Sequence, residues 1–493
     1  MSTLLLKGGI VLIHGHNDKI QPRHADVLIQ DCRIAEIGPS LTTPSGCNVI
    51  DCTDKIVSPG FVDTHHHLSE TPLKGFFGDA TLIRYLAMTL TAPFAFHPAD
   101  MYWANLSGAL EAIDSGTTTV LDHAHCNYTK DHSKQAIAGS LTSGIRSVFA
   151  YTPTLTMTAY KPNPEFADSI PSWFVPVLER LAGAKALTEA NARVRLGFGF
   201  DRYSLPKDTI QELFEKVKSL GVNVVTSHYF RPKGDQSDRL PPLLKEYGLL
   251  DKNVVLSHAG GATAEDAALI KESGAYVSAT PSLEAAMGLG PQAVFRNDLP
   301  GVDSVASFGI GCHSITSSSL VNEMRFGLQH ARGLDSAANL RENKLPGRIH
   351  HTTHEAFNMA TMGGARALGM ETDIGSVEPG KRADLVVFSA TSPSMLAAAQ
   401  QDPVMAVVLH SSTRDVEDVI VDGVVRKRDG KMLPVESIEW DEDAGAFGPT
   451  GKEVPWNEVA SKVLDLQQRF MAKRSRYDLA HLEGIVSSMI HAA

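Results

Sequence analysis

The sequence predicts an α/β fold, a (β/α)8 TIM barrel joined to a small β domain. Three observations carry this. Eight apolar strand candidates follow one another at 56–67, 117–126, 146–152, 194–201, 222–229, 254–259, 276–281 and 304–314. Helical patterns separate them, as at 209–218, and alternating strand and helix implies a parallel sheet. Polar or small residues gather at the C-terminal end of nearly every candidate, which is where a closed barrel keeps its active site. Continuous apolar strands fit a sheet covered on both faces. An open doubly wound sheet is the alternative, and the polar strand ends speak against it.

Strand texture also marks both ends of the chain. Short alternating or β-branched runs occur at 4–6, 27–30 and 33–38, and again at 383–388 and 416–425. Residues 1–57 and 375–435 are therefore expected to build one small β-sandwich domain together, with the barrel over 58–374. Residues 436–493 are expected to form a C-terminal helical extension. Within it, 456–473 reads as an amphipathic helix with Val459, Val463, Leu464, Leu466 and Phe470 near one face. Such an arm packs on the barrel or on another subunit, so a homo-oligomer is expected.

The 493 residues carry a net charge of -11, which argues against the Lys- and Arg-rich footprint of a nucleic-acid-binding protein. No apolar run of about 18 residues is present, so no membrane-spanning helix is expected. The N-terminal run reads as a strand rather than a signal peptide. Cys32, Cys47, Cys52, Cys126 and Cys312 are odd in number and lack CxxC spacing. A reducing compartment, the cytoplasm, is therefore expected. The expected partner is a small-molecule substrate.

The chemistry concentrates in histidines. The first barrel candidate ends Thr64-His65-His66-His67. Side chains at i and i+2 share a strand face, so His65 and His67 can both face the barrel mouth while His66 turns away. The fifth candidate ends at His228 and the sixth reaches His258. Each alone fits a buried, satisfied histidine, but three strands ending in histidine are harder to explain by packing. Neutral imidazole suits zinc, iron, nickel or copper, and a metal held by three protein nitrogens keeps an open position for water. His123 and His125 share a face on the second candidate, where substrate contact or a hydrogen bond to a ligand is expected, with a second metal pair as the alternative. Tyr151, Tyr203, Phe230 and Glu284 are further candidates for substrate contact near the mouth, and Phe76, Phe77 and Met287 for an apolar lining.

These motifs resemble the amidohydrolase superfamily, in the metal-dependent branch that includes atrazine chlorohydrolase and guanine deaminase. The resemblance rests on 59–67, on Ser257-His258, on 280–290 and on 374–386, and covers roughly residues 3 to 433. It implies that His65, His67 and His228 bind one divalent metal ion, zinc first and iron second. It also implies that His258 orients substrate or steadies a developing oxyanion. Relatives with two metals place a carboxylated lysine at the end of strand four. Here 197–201 contains no lysine, so a single ion is expected.

Two positions depart from the pattern. Arg231 stands where many deaminases of this branch carry a proton-shuttling glutamate, and a guanidinium cannot shuttle protons, although it can pair with a substrate carboxylate. Gly311 stands where strand eight normally ends in a metal-binding aspartate that also serves as base. Three explanations stay open: an inactivating variant, a natural member using His313 or another base, or a protein that binds without hydrolysing. The expected function is metal-dependent hydrolysis of a C–N bond in a small cyclic or aromatic amide, lactam or amine. The alternatives are a non-hydrolytic lyase or isomerase on the same scaffold, or an inert homologue.

Overall fold

A computed structural model describes residues 3–161, 163–167, 170–230 and 240–492. Eight parallel strands run in sequence order around a barrel: β1 (Phe61–His66), β2 (Thr117–Ala124), β3 (Arg146–Tyr151), β4 (Val194–Gly199), β5 (Val225–Tyr229), β6 (Val254–His258), β7 (Tyr276–Ala279) and β8 (Ala306–Phe308). The ring closes just beyond β8. The amides of Ile310 and Gly311 donate to the His65 carbonyl at 2.9 and 2.7 Å, and the His67 amide donates to the Gly311 carbonyl at 3.1 Å. The candidates from the second to the eighth are each one strand of this barrel, shorter than expected.

The first candidate is two strands. Residues Lys55–Pro59 belong to a different sheet, and β1 starts after Gly60. A side chain on Gly60 would overlap Thr118, so the chain can change sheets here only with glycine.

The other sheet has nine strands and draws on both chain ends. Leu385–Ser389 pairs with Lys55–Pro59, which lies beside Thr3–His14; Ile20–Gln30 and Arg33–Gly38 extend one side, and Val416–Val421 and Val424–Arg428 the other. Its inner face is apolar, with Leu6, Val27, Val57, Leu385 and Ile420 in one buried cluster. Arg146, at the start of β3, pins it to the barrel through Asp384 (2.7 Å) and Asp422 (3.0 Å), all three side chains largely buried.

The barrel interior is not wholly apolar. Thr64 Oγ1 lies 2.7 Å from both Ser278 Oγ and Ser307 Oγ, and Ser257 Oγ lies 2.8 Å from His65 Nδ1. Buried hydroxyls from β1, β6, β7 and β8 thus lie close to the strand-end histidines and satisfy one another.

Beyond the sheet, Val435–Asp441 and Ala446–Val454 form a hairpin that the sequence reading did not anticipate. The helix expected over 456–473 spans Trp456–Arg474. Its Val459, Leu466 and Phe470 are buried as expected, whereas Leu464 faces solvent. Phe470 stacks on Phe96 with centroids 5.5 Å apart. A further helix, Leu479–Ala492, follows and packs against Leu82–Thr89 at the barrel mouth. Among the described residues no helix is long and apolar enough to cross a membrane.

Candidate metal centre

The alternation of β1 sends His65 and His67 into the mouth and His66 to the other side. The donor atoms of His65, His67 and His228 lie within 4.8 Å of one another. Local hydrogen bonds fix the rings. His67 donates from Nδ1 to the His123 carbonyl at 2.8 Å, and His228 Nδ1 lies 2.9 Å from Asp201 Oδ2. With those protons on Nδ1, each Nε2 is a bare acceptor, and the two stand only 3.3 Å apart. Two lone pairs so placed repel unless a cation lies between them. Tetrahedral ligands at about 2.0–2.1 Å from zinc stand about 3.4 Å apart, so the spacing suits one ion. His65 Nε2 is buried and has no hydrogen-bond partner, although Ser257 holds its Nδ1. The three residues therefore fit a metal ion.

Electrostatics agree with neutral rings. Burial, followed by the neighbouring histidines, holds His65 and His67 well below the usual histidine range. Burial raises the Asp201 carboxyl, but His228 and His123 outweigh it and hold the group well below the carboxylate range. Asp201 also accepts from the His228 amide at 2.8 Å and lies 3.0 Å from His123 Nε2. It thus orients His228 from strand four, and with His123 it forms a second donor group around that ring.

His258 sits at the end of β6 with φ +75°, a left-handed conformation that non-glycine residues adopt at a cost of about 1–2 kcal/mol. Its Nδ1 is tied to Thr280 Oγ1 at 2.8 Å, and the Thr280 amide donates to Glu284 at 2.9 Å. Burial, then His228, lowers the ring to about 3, so it is neutral. Burial lifts the Glu284 carboxyl to about 8.

A cavity of about 340 Å³ opens above these groups. His67, His125, Asp201, His228, Phe230 and His258 line it, together with Met287. His123 lies behind Asp201, fully buried. Arg231 lies outside the described residues.

Several expectations are corrected. His313 does not face the metal donors. Its Nδ1 lies 2.7 Å from His66 Nε2, its Nε2 lies 3.1 Å from Thr71 Oγ1, and His66 in turn binds Asp63 at 2.6 Å. The left-handed backbone at Gly311 (φ +70°) turns the following residues to the far side of β1. Tyr151 is stacked on Phe174 at 4.3 Å, outside the barrel, so it is not at the cavity. Tyr203 is buried with its hydroxyl 2.7 Å from Ser227, and Glu284 is buried behind His258, 3.6 Å from its Nδ1 and bonded to the Thr280 amide, so neither lines the cavity. Phe77 is fully buried and Phe76 packs on Phe470 at 5.7 Å, so they do not line it either.

Gly311 does stand at the site. A Cβ there would lie 3.6 Å from His65 Cδ2, but only 2.5 Å from Leu283 Cδ2. Leu283 fills the space that a side chain would enter.

The sequence reading missed Glu70. Its carboxyl is buried, bound by the Tyr85 hydroxyl and by Ser314 at 2.6 Å, and stands 4.0 Å from His125 Nε2. Burial raises it from its ordinary value, against the hydrogen bonds from Ser314 and Tyr85, and lowers His125 to about 4. The signal was present: a glutamate five residues after His65, in a segment with no other acidic group, sits at the strand mouth.

A model described as the amidohydrolase family matches residues 56–426. A 5-methylthioadenosine/S-adenosylhomocysteine deaminase of Symbiobacterium thermophilum is 30% identical over 444 residues, 86% of this chain and 93% of that enzyme. A 5'-deoxyadenosine deaminase of Methanobrevibacter smithii is 27% identical over 89% of this chain and 95% of its own length. Among solved structures, the zinc complex of atrazine chlorohydrolase from Arthrobacter aurescens superposes with a TM-score of 0.75 at 19% identity, covering 94% of this chain and 100% of that one. A zinc-bound adenosine deaminase from Xanthomonas campestris gives a TM-score of 0.74 at 18% identity, covering 96% and 99%.

Proposed function

The chain belongs to the amidohydrolase family, and from that premise we propose a metal-dependent hydrolase that cleaves a C–N bond in a small cyclic or aromatic amide, lactam or amine. One divalent ion, zinc before iron, is held by His65, His67 and His228. The observation that carries this is the pair of bare Nε2 atoms of His67 and His228 at 3.3 Å. Zinc in two structural neighbours supports the choice of metal. When bound, the ion supplies a Lewis acid and lowers the pKa of a coordinated water.

The chain's own groups supply the rest. Asp201 fixes the tautomer and direction of His228. His258, neutral and tethered by Thr280, presents its free nitrogen to the cavity and positions the substrate's polar atom. Gly311 offers no proton acceptor. We assign that work to the Glu70–His125 pair, the carboxyl and imidazole that stand 4.0 Å apart beside the cavity. Burial makes the Glu70 carboxylate a stronger base than a free one and keeps the His125 imidazole uncharged, so Glu70 takes the proton from the attacking water and returns it to the leaving nitrogen. The unpaired thiols of the described residues suit a reducing compartment.

Gly311 also favours a second reading, a lyase, an isomerase or an inert binder. Metal analysis of the purified protein together with product mass separates them. We expect about one transition-metal ion per chain and products that together, released ammonia or amine included, weigh one water more than the substrate. A metal-free protein with His65 and His67 intact, or a product of unchanged mass, overturns the hydrolase reading.

A further inference from the structure

Resting on the reading that the histidine cluster is the reacting centre, we infer that the substrate carries an extended, uncharged apolar substituent, and that the C-terminal helix Leu479–Ala492 is the specificity wall that receives it.

The cavity is polar on its floor and apolar above. His67, His228, His258 and Asp201 form the floor. The upper wall comes from three unrelated parts of the chain: Leu82, Leu86 and Leu90 from Leu82–Thr89 and its end, Leu283, Met287 and Leu289 from the segment after β7, and Val486, Met489 and Ile490 from the C-terminal helix. Among the described residues no Lys or Arg lines it, and its one carboxylate, Asp201, is already held by His228 and His123. Among its described residues such a wall has no cation to pair with a phosphate or an amino-acid carboxylate. The hydroxyls that line it, of Tyr85, Thr89, Tyr128 and Thr154, already donate to Glu70, the Leu86 carbonyl, Cys126 and the His125 carbonyl, so the hydroxyls of a sugar would lose much of their water with little replacement.

The helix is seated rather than adrift. Glu483 pairs with Arg84 at 2.7 Å, Tyr477 stacks on Phe94 at 5.7 Å, and the Asp478 amide donates to Tyr160 at 2.9 Å. Leu482 and Val486 are buried against Ala87 and Met157. One face of the helix therefore anchors it while Met489 and Ile490 extend over the cavity, and Met489 remains 41% exposed. A substituent entering there replaces solvent at these side chains.

The test uses 4-alkylbenzamides from methyl to hexyl, with binding measured by calorimetry on the metal-free and the metal-loaded protein. Affinity is expected to rise about threefold to fourfold per methylene, the value for transfer of CH2 from water. Met489→Glu, at a partly exposed position that tolerates charge, is expected to weaken the hexyl compound at least tenfold and to leave the methyl compound within about twofold. Leu155→Glu, also partly exposed and lining the same cavity, serves as a second variant with the same expected pattern. A flat series, equal loss for short and long members, or tighter binding of adenosine than of the hexyl amide overturns the inference. Chain-length dependence in binding without any hydrolysis leaves the wall standing and overturns the hydrolase reading. Hydrolysis of short amides with a flat series does the reverse.

Discussion

The side chain of Leu283 occupies the place that a side chain on residue 311 would take, with Cδ2 2.5 Å from the Cβ position of Gly311. The surroundings are fitted to glycine here, in packing and in backbone (φ +70°). Gly311→Asp therefore cannot simply restore a carboxylate. We expect it to destabilise by about 2–4 kcal/mol, from left-handed strain and overpacking, with no rise in turnover. Combined with Leu283→Ala, the loss is expected to fall short of the sum of the two single variants by about 1–2 kcal/mol. Urea denaturation of the four proteins measures the coupling.

Glu70 is the residue on which the proposed proton transfer depends. Glu70→Gln keeps the shape and both hydroxyl contacts, yet cannot accept a proton. Turnover is expected to drop about 10²–10⁴-fold with little change in metal content. Steady-state kinetics beside metal analysis checks this, and wild-type turnover in the variant would remove Glu70 from the mechanism.

The route from sequence to these residues was uneven. His65, His67, His228 and His258 were legible because strand periodicity and strand ends fix where such side chains point. The same periodicity puts Tyr151 beside Phe149 on the outer face of β3, a parity that outweighs its position near the strand end. His313 lay beyond reach, because it follows a left-handed glycine and strand parity does not survive that turn. The hydroxyls of Thr64, Ser257, Ser278 and Ser307 read as ordinary strand residues, and only three-dimensional closure brings them together. The apolar spacing of Leu482, Val486 and Met489 marks a helix, but nothing in the spacing says that it crosses the barrel mouth.

Asp201 acts through His228. Asp201→Asn removes the charge that holds the imidazole's Nδ1 proton. Affinity for the metal is expected to fall about 10–100-fold, as for other partners of ligating histidines. Competition with a chelator gives the constant directly, and unchanged affinity would mean that His228 needs no such support.

Glu284 ties stability to pH. Its carboxyl titrates near 8 in the folded protein against an ordinary value of 4.5. Between those values the unfolded chain has released the proton while the folded chain keeps it, so this group makes stability fall as pH rises from about 4.5 through 8. Glu284→Gln abolishes that contribution. The variant is expected to gain on the parent protein steadily across the window and to show no further gain above it, as read from denaturation midpoints at successive pH values.

The shared sheet imposes an order on biosynthesis. Lys55–Pro59 finds its partner in Leu385–Ser389, roughly 330 residues later. At about 5–20 residues per second, a ribosome needs on the order of half a minute to deliver that partner. Through that interval the first strands have an open edge, the kind of edge that recruits other chains. Newly made protein is therefore most exposed to misassociation before its last quarter emerges, and a chaperone that shields the N-terminal strands would act on this chain during translation rather than after it.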